Sequence, residues 1–453
     1  MKKTVIVLLA LFLALPAVSF AGSATSKWDM TIGGYVKFDM GWGSQAQGQD
    51  AYVAQRKGWG PFETAADQTG NFYMYGGETR LNFLVKGPDA WGAKTSAFIE
   101  GHFRGNETSN SATAQNQGSF TLRHAYMQFD WANTKLLIGQ TWQKWGVLPT
   151  YAGTILEYNG IGPFLKGSRQ PLVRVEQNFA KNWNWALGVI SSANTLGSDP
   201  GSTPTGVVNS YTKSQLPFFE GSIGWTTDKC GSIGPWQMLF NLEGFYGRQK
   251  MTYSFLDSLI GDTNLLRGDK DVNAYGIAFK GFIPIIPEKK GNKQGALSLS
   301  GVVFYAQNPG WFMGPATTQT YNYNPYGGYL GLYPAYHTPT TYGGWGQLSY
   351  WFTDKFYANG WFGYTRNNLS SYYGNGDGSF FGAPVNANAI QNTTQVILNL
   401  SYDVNAAIRF GIEGAYFNTR YAGYQMSNLI PGVPVGQKDG TYYTVRVGAF
   451  YFF

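Results

Sequence analysis

Hydrophobic and polar residues alternate along many segments of the chain, most clearly at its C-terminal end. Counting back from Phe453, every second residue from Tyr451 to Tyr443 is apolar or aromatic, and Thr444 and Arg446 lie between them. Alternate side chains of a β-strand point to opposite faces. The pattern therefore predicts a strand with one apolar face and one polar face.

The same alternation recurs in segments distributed along the whole chain. Near its start, Val36 and Phe38 share one face of a predicted strand, and Lys37 and Asp39 share the other. The pattern predicts about 16 strands, with boundaries accurate to a few residues. The predicted strands cover residues 31–42, 72–86, 93–105, 119–131, 135–142, 170–179, 182–192, 215–227, 235–250, 272–283, 295–306, 342–353, 355–369, 391–402, 406–421 and 440–453.

Short and long connections alternate between the predicted strands. Tight hairpins are predicted at 132–134, 180–182, 353–355 and 403–405, and the largest long connections are 43–71, 143–169, 307–341 and 370–390. This layout predicts an all-β fold, a transmembrane antiparallel up-and-down β-barrel with short periplasmic turns and long external loops. About 16 strands leave an aqueous channel, whereas about eight would be filled by side chains. The count becomes about 14 or 18 if 251–271 or 307–341 hides or mimics a hairpin.

The N-terminus indicates export. Lys2 and Lys3 precede an apolar run at 5–15, and small residues lead up to Ala21, after which we expect a signal peptidase to cleave. The run is too short to span a bilayer, which needs about 20 residues. Residues 1–21 are therefore predicted to be a signal peptide and 22–453 the mature barrel. Removing two lysines and no acid lowers the formal net charge from +7 to +5.

The composition fits a barrel and argues against an enzyme. Aromatic residues make up 17% of the chain and charged residues 13%, below the roughly 25% charged residues of an ordinary soluble domain. His102, His124 and His337 lie on separate segments, and no Gly-x-Ser-x-Gly nucleophile motif occurs. A single cysteine excludes a disulfide scaffold and a covalent haem motif. We expect no catalytic activity, no cofactor, no metal and no nucleic-acid partner.

Two features have no assigned role. Cys230 falls in a predicted turn at 226–231, where the alternatives are a free thiol, a cross-link to a partner or an attached lipid. The segment 321–342 is dense in Tyr, Gly and Pro. Its aromatic rings either form a platform for sugar rings or pack the loop into a lid.

The segment 122–142 carries the most specific motifs. Leu-Arg-His-Ala-Tyr at 122–126 and Gly-Gln-Thr-Trp at 139–142 precede the long connection 143–169. Together with Gly-Tyr-Val-Lys at 34–37 and Thr-Arg-Leu at 79–81, they resemble the trimeric outer-membrane general porins, most of all the DcaP-like porins. The resemblance covers roughly residues 30–180, and the terminal Phe453 resembles the signal by which such barrels are recognised for assembly. It implies a homotrimer in a Gram-negative outer membrane, with the loop 143–169 folded into the lumen and narrowing it.

The charges that face the lumen of such a channel set its selectivity. The candidate pore-lining residues are Lys37, Arg80, Arg104, His124, Arg174, Asp39 and Glu100, with Arg446 and Glu176 as further inward charges. The loop contributes Glu157 as its only acid, with Lys144 and Lys166 near its ends. The basic residues predict a mild anion preference, unless these charges pair across strands and only set the register. Alternation points Arg123 outward unless a bulge turns it in, so His124 and Arg174 rank above it.

Three functions are compatible with these predictions. The first is passive diffusion of small hydrophilic solutes through a water-filled channel, with anions favoured. The second is a substrate-specific channel for carboxylates or sugars. The third is a structural barrel that serves as a sheath or anchor for a partner protein. In each case the expected surroundings are outer-membrane lipid and lipopolysaccharide.

Overall fold

The computed structural model describes the strands and parts of the connections. The described residues are 28–46, 53–58, 69–105, 119–146, 156, 169–191, 214–254, 267–309, 321–323, 335–337, 340–368, 390–426 and 434–453. The predicted signal peptide at 1–21 and the loop residues Glu157 and Lys166 lie outside the described residues. Within that part of the chain, no helix is long and apolar enough to cross a bilayer.

Sixteen strands, counted over the described residues, form one antiparallel sheet that closes on itself. In chain order they are β1 Asp29–Gly43, β2 in two segments Asn71–Tyr75 and Arg80–Lys86, β3 Lys94–Gly105, β4 Ser119–Asp130, β5 Thr134–Trp142, β6 Arg169–Ala180, β7 Trp183–Ile190, β8 Phe218–Ile233, β9 Trp236–Ser254, β10 Arg267–Ile286, β11 Leu297–Gln307, β12 Thr340–Trp351, β13 Phe356–Asn368, β14 Ile390–Asp403, β15 Ile408–Tyr421 and β16 Asp439–Phe452.

Each strand pairs with its neighbours in chain order, and β16 pairs with β1 to close the barrel. In the closing pair, Phe38 lies opposite Ala449 and Asp39 lies opposite Gly448. Closure leaves no strand edge with unpaired backbone groups, which a lipid environment would penalise heavily. The prediction of an up-and-down barrel of about 16 strands is confirmed.

Two short ribbons of the described chain lie outside the barrel sheet. Tyr321–Tyr323 pairs with Ala335–His337, and Gln425–Met426 pairs with Pro434–Gly436. The first ribbon belongs to the long connection 307–341, so this connection adds no strand to the barrel. The strand count of 14 or 18 that was left open is therefore excluded.

Short and long connections alternate around the barrel, and a long one follows every odd-numbered strand. The short turns at the other end are held by side-chain acceptors. Oδ1 of Asn405 accepts hydrogen bonds from the N–H groups of Ala407 and Ile408 at 2.8 and 2.9 Å. The hydroxyl of Thr353 accepts one from Phe356 at 3.0 Å. Bonds of this kind explain why Asn, Asp and Thr at these positions form tight turns.

The turn between β8 and β9 lies later in the chain than the sequence predicts. β8 continues to Ile233, so Cys230 lies on this strand and is exposed. The predicted turn at 226–231 is therefore wrong. Residues 228–231 form an irregular bulge in the pairing, and the chain reverses at 234–235. The polar residues of a bulge are of the same types as those of a turn, which explains the error.

The two faces of the barrel wall differ in polarity, as β1 illustrates. Val36 and Phe38 point outward and are 52% and 45% exposed, whereas Lys37 and Asp39 point inward and are buried. Other strands follow the same rule, with apolar and aromatic residues outside and polar residues inside. An apolar exterior around a polar interior is what a bilayer requires of a strand barrel.

Candidate pore constriction

The first residues of the long loop 143–169 lie inside the barrel against β8 and β9. The backbone N–H of Lys144 donates a 2.5 Å hydrogen bond to the carboxylate of Glu220. The backbone N–H of Gly146 donates a 2.9 Å hydrogen bond to Glu243. Both carboxylates are buried on the inward faces of their strands. These two glutamates therefore turn the loop into the lumen where it begins.

Packing and charge fix the same part of the loop. The Trp145 ring is fully buried and packs edge-on against Phe245, with ring centroids 4.8 Å apart. The Lys280 ammonium donates to the carbonyl of Lys144 at 2.9 Å and forms an ion pair with Glu243. Buried charges are tolerated when each is paired and hydrogen-bonded. This contact is therefore a firm attachment of the loop to the wall.

Leu156, further along the loop, contacts the opposite wall. Its backbone N–H donates a 2.6 Å hydrogen bond to Glu413 on β15, and its carbonyl accepts one of 2.8 Å from the Lys37 ammonium. Its side chain rests on Gly411 and Gly448, where an added Cβ would come within 2.8 and 3.3 Å of it. In a ring of 16 strands β9 is diametrically opposite β1. The loop therefore crosses the lumen.

Lys37 and Asp39, two of the predicted pore-lining residues, face inward beneath the loop. The Lys37 ammonium lies 2.7 Å from the Asp39 carboxylate and also binds the carbonyl of Leu156. Only 1% of Lys37 is exposed. A cation covered to this extent offers little surface to a passing solute. The geometry places this pair at the second attachment of the loop.

A group of arginines faces the lumen from β2, β3, β4 and β6. Arg80 and Arg104 both pair with Glu78, which lies between the two segments of β2; for Arg80 the separation is 3.6 Å. The Arg80 guanidinium also lies 5.2 Å from the ring centre of Tyr35. We call the group the arginine cluster, and it consists of Arg80, Arg104, Arg123 and Arg169.

Glu100 on β3 is the second carboxylate of this region. Arg123 donates through Nε to Glu100 at 2.7 Å, and the His124 ring lies 3.9 Å from the same carboxylate. Nδ1 of His124 is 2.9 Å from the hydroxyl of Thr141. The Arg123 guanidinium also lies 3.3 Å from Nδ1 of His102. Glu100 thus contacts Arg123 and His124 directly, and His102 joins this group through its contact with Arg123.

Arg169, the first residue of β6, completes the arginine cluster. Its guanidinium lies 4.6 Å from the ring centre of Trp142 and makes no ion pair within the described part of the chain. It interacts electrostatically with both Arg80 and Arg123 across the lumen wall. Counted over the described residues, the cluster sets four guanidinium groups against the carboxylates of Glu78 and Glu100. The excess is two positive charges.

A bulge in β4 brings two consecutive residues, Arg123 and His124, to the inward side. Glu100 lies opposite His124, whereas the next residue of β3 lies opposite Leu122, so Arg123 is the extra residue. Both side chains are buried, at 6% and 8% exposure. The alternation alone points Arg123 outward; the bulge changes this, as bulges do when they re-aim a side chain.

Arg174 belongs to a second, charge-balanced group near the start of the loop. Its Nε lies 2.8 Å from Glu176 and its Nη1 lies 3.3 Å from Glu220. Lys144 pairs with Glu176 at 3.0 Å. Among the described residues this group contains equal numbers of cations and carboxylates. We call it the balanced network, and it consists of Lys144, Arg174, Lys280, Glu176, Glu220 and Glu243.

Arg446 and Phe453 lie on β16 and directly after it. Arg446 points inward, donates a 2.9 Å hydrogen bond to the Tyr73 hydroxyl and lies 3.9 Å from Glu413. The backbone of Phe453 pairs with Gly34, its N–H donating at 3.2 Å and its carbonyl accepting at 3.1 Å. The Phe453 residue is 55% exposed. Its role in assembly stays a prediction.

The inward face of β11 to β14 differs from all of these groups because its buried side chains carry no charge, and the partly buried Asp403 at the end of β14 pairs with Arg409 on β15. Trp345 and Trp361 stack on this face with ring centroids 6.1 Å apart. We call this face the neutral wall. Its buried polar side chains are Ser298, Ser300, Thr341, Gln347, Ser349, Asn359, Thr365, Asn367, Thr393, Gln395, Asn399 and Ser401.

Residues 53–58, from the first long connection, attach to β15 at the mouth of the barrel. The N–H of Ala54 donates to the Thr419 hydroxyl at 2.9 Å, and its carbonyl accepts from the Tyr421 hydroxyl at 2.7 Å. The Arg56 guanidinium lies 4.1 Å from the ring centre of Tyr421. Burial lowers the pKa of Arg56 from its usual 12.5, and its interaction with Tyr421 raises it in part. A second connection therefore narrows the lumen.

Sequence reasoning found the inward-facing charges but not their grouping. It listed Arg80, Arg104, His124 and Glu100 in one set with Lys37, Asp39 and Arg174, which the structure separates into different groups. It did not single out Arg169, whose position at the end of the loop 143–169, where β6 begins, was the available signal. The partners Glu78, Glu220, Glu243, Lys280 and Glu413 were also missed. Glu157 lies outside the described residues, so its role stays a prediction.

A closed barrel with a polar interior and a loop across the lumen is the architecture of the outer-membrane porins. Among the described residues, no three His, Cys, Asp or Glu side chains are placed to hold a metal ion. The site has three parts. They are the charged side of the lumen, which is formed by the arginine cluster and the balanced network, the loop 143–169 that crosses the lumen, and the neutral wall.

Comparison with known proteins supports the same fold. No protein-family model matches the chain, and no characterised protein matches its sequence. The crystal structure of the outer membrane channel DcaP of Acinetobacter baumannii matches with a TM-score of 0.63 at 15% identity, over 95% of this chain and 99% of that one. The trimer form of OmpT, an outer membrane protein of Vibrio cholerae, matches with a TM-score of 0.51 at 11% identity, over 94% and 100%. Such identities establish the fold alone, and for the fold the predicted resemblance to porins is confirmed.

Proposed function

We propose that the protein resides in an outer membrane and forms a water-filled channel for passive diffusion of small hydrophilic solutes, with a mild preference for anions. The observation that carries the proposal is the arginine cluster on the lumen wall. Counted over the described residues, its excess of two positive charges faces a lumen that the loop 143–169 crosses. An exterior of apolar strands supports the membrane location.

The preference follows from how charge acts in a narrow passage. A wall of one sign, set in a material of low dielectric constant, raises the local concentration of ions of the opposite sign. The balanced network adds no net charge, so the arginine cluster determines the sign. Because Glu78 and Glu100 offset half of its guanidinium groups, the expected preference is mild.

Charge reversal in the arginine cluster tests the proposal. The double variant Arg80→Glu and Arg169→Glu turns the excess of two positive charges into an excess of two negative charges. We expect the wild-type protein to show stable ohmic steps in a planar bilayer and a reversal potential that favours anions in a KCl gradient. The double variant should favour cations. A matched control reverses two lysines of the short turns, Lys181→Glu and Lys289→Glu, and should retain anion preference.

The outcomes separate the two parts of the proposal. A folded barrel that gives no conductance would refute the channel. A conducting barrel whose reversal potential is the same in wild type and the cluster variant would refute the anion assignment alone. Folding of each variant is checked by its heat-dependent mobility in SDS gels, since closed barrels resist SDS until heated.

The proposed assembly is a homotrimer. It is supported by the porin resemblance of the sequence and by the trimer form of OmpT, which shares the fold. Light scattering of the protein in detergent measures the assembled mass directly. A mass of a single chain under conditions where the barrel is folded would contradict this part of the proposal.

A further inference from the structure

A cavity of about 170 Å³ opens on the inward face of the barrel at its short-turn end. Its described lining comes from β8 to β15 and from turns that join these strands, and it includes no member of the arginine cluster or the balanced network. A cavity of roughly 150 Å³ accommodates a six-membered carbon ring. This one is therefore large enough for one small ring molecule. It takes no part in the attachment of the loop or in the charged side of the lumen.

The polar part of the cavity is an array of four uncharged side chains on two adjacent strands. In the register of β11 and β12, Ser298 lies opposite Ser349 and Ser300 lies opposite Gln347. All four are buried on the inward face. The Gln347 amide donates to the Ser349 hydroxyl at 3.0 Å. Hydroxyl and amide groups both donate and accept hydrogen bonds, which suits a ligand with several hydroxyl groups.

The apolar part of the cavity is aromatic. Trp351 on β12 and Tyr357 on β13 stack with ring centroids 5.8 Å apart and an angle of 29° between their planes. Phe282 on β10 lies at the same cavity. A sugar ring has apolar C–H faces and a polar edge. An aromatic surface beside a row of hydroxyl groups matches both parts of it.

The charges at the cavity fit a sugar better than a simple acid. Arg409 and Asp403 form a bidentate pair with separations of 2.5 and 3.1 Å, so each is largely neutralised by the other. Lys293 is the remaining charged residue of the described lining. A carboxylate ligand would have to compete with Asp403 for Arg409. A sugar hydroxyl can instead hydrogen-bond to such a pair without breaking it.

We propose that this cavity binds one sugar ring of a solute that traverses the channel. The inference rests on the proposed function, because the solute reaches the cavity only through an open lumen. It assigns sugars as a substrate class to the neutral wall, distinct from the anions that the arginine cluster attracts.

Two measurements with glucose test the site. In a planar bilayer, glucose added on the short-turn side should reduce the KCl conductance in a saturable manner. In detergent, saturation-transfer NMR should detect glucose bound to the protein whether or not it conducts. Trp351→Leu should raise the half-blocking concentration of glucose about tenfold, the factor that corresponds to the loss of one strong aromatic contact. Trp345→Leu, on the same wall outside the cavity, should not.

Ser300→Ala serves as a second variant that removes a single hydroxyl and preserves the aromatic stack. It should weaken glucose binding in the NMR experiment relative to wild type. Glucuronate should behave like glucose, because the sugar ring is the recognised group. Benzoate tests the competing ligand class, an aromatic acid without hydroxyl groups.

The possible failures are distinguishable. A folded barrel without KCl conductance counts against the proposed function, and the NMR measurement then decides the sugar site by itself. A conducting channel that shows neither block nor NMR transfer with glucose overturns the sugar site. So does block by benzoate without block by glucose. Equal effects of Trp351→Leu and Trp345→Leu would also overturn the assignment to this cavity.

Discussion

The charged side of the lumen and the neutral wall keep the barrel interior polar in different ways. On the charged side, Arg174 contacts two carboxylates, Glu176 and Glu220, at 2.8 and 3.3 Å. On the neutral wall, amides bond to amides, as Asn359 does to Asn399 at 2.6 Å. The first arrangement holds ionised groups away from bulk water, and the second holds none among its buried side chains.

The comparison shows where stability and selectivity reside. A buried ion requires its partner, because an unpaired charge in a medium of low dielectric constant is costly. A buried amide that loses a partner costs less, and an apolar replacement of the same shape can be neutral. The charged side should therefore tolerate substitution poorly and control ion selectivity. The neutral wall should tolerate it well and affect ion selectivity little.

The largest expected effect comes from breaking an ion pair in the balanced network. Glu243→Gln removes the carboxylate that pairs with the Lys280 ammonium, which is 2% exposed. We expect a loss of about 3–5 kcal/mol in the free energy of unfolding, measured by urea titration in detergent. The double variant Glu243→Gln and Lys280→Met removes both charges and should recover most of that loss. Equal stability of wild type and Glu243→Gln would show that the pair is hydrated.

The next effect concerns the far attachment of the loop. Glu413→Ala removes the acceptor for the backbone N–H of Leu156 and should cost about 1.5–3 kcal/mol, the range for a hydrogen bond to a charged group. Because the loop is then held less firmly, single-channel current noise should increase. Glu413→Gln retains an acceptor and should lie between Ala and wild type. Unchanged noise in the alanine variant would place the loop attachment elsewhere.

The sequence could predict the strands of the barrel but not the two contacts that attach the loop 143–169 to its wall. The strands followed from alternation, because each face of the wall meets one environment, lipid or lumen, over its whole length. The polar residues at 228–231 were misassigned to a turn, since local residue types do not distinguish a bulge from a turn. The long-range pairing of Leu156 with Glu413 has no periodic pattern at all.

For the site, the sequence could predict which face of the wall each charged residue occupies. It could not predict the residue with which each one pairs. Lys37, Arg80 and Arg174 were correctly placed on inward faces by alternation alone. Whether such a cation serves selectivity or structure depends on the neighbour it meets across strands or across the lumen. Lys37 contacts the loop, as its 2.8 Å bond to Leu156 shows, whereas Arg80 belongs to the arginine cluster. Only the register and the path of the loop decide this.

Ionic strength distinguishes the charged side from the neutral wall without any substitution. The Debye length is about 30 Å at 0.01 M salt and about 3 Å at 1 M. The anion preference that we assign to the arginine cluster should therefore be strongest in dilute KCl and decline towards no preference at 1 M. Reversal potentials measured at a constant concentration ratio provide the test. An anion preference that does not change with salt concentration would indicate a binding site of fixed geometry instead of the electrostatic field of the arginine cluster. Block by glucose should change little over the same range.

The smallest expected effect lies on the neutral wall. Gln395 is fully buried, and neither its Nε2 nor its Oε1 has a hydrogen-bond partner among the described residues. Gln395→Leu preserves the approximate volume and removes no hydrogen bond between described residues, so stability should change by less than about 1 kcal/mol, in either direction. Asn399→Leu, two positions further along the same face of β14, is the matched control. Asn399 accepts from Asn359 at 2.6 Å and donates to Glu413 at 3.3 Å, so its loss should cost about 1–3 kcal/mol. If Gln395→Leu proved as costly as Asn399→Leu, the neutral wall would depend on its polar groups as strictly as the charged side depends on its ions, and the contrast between them would fail.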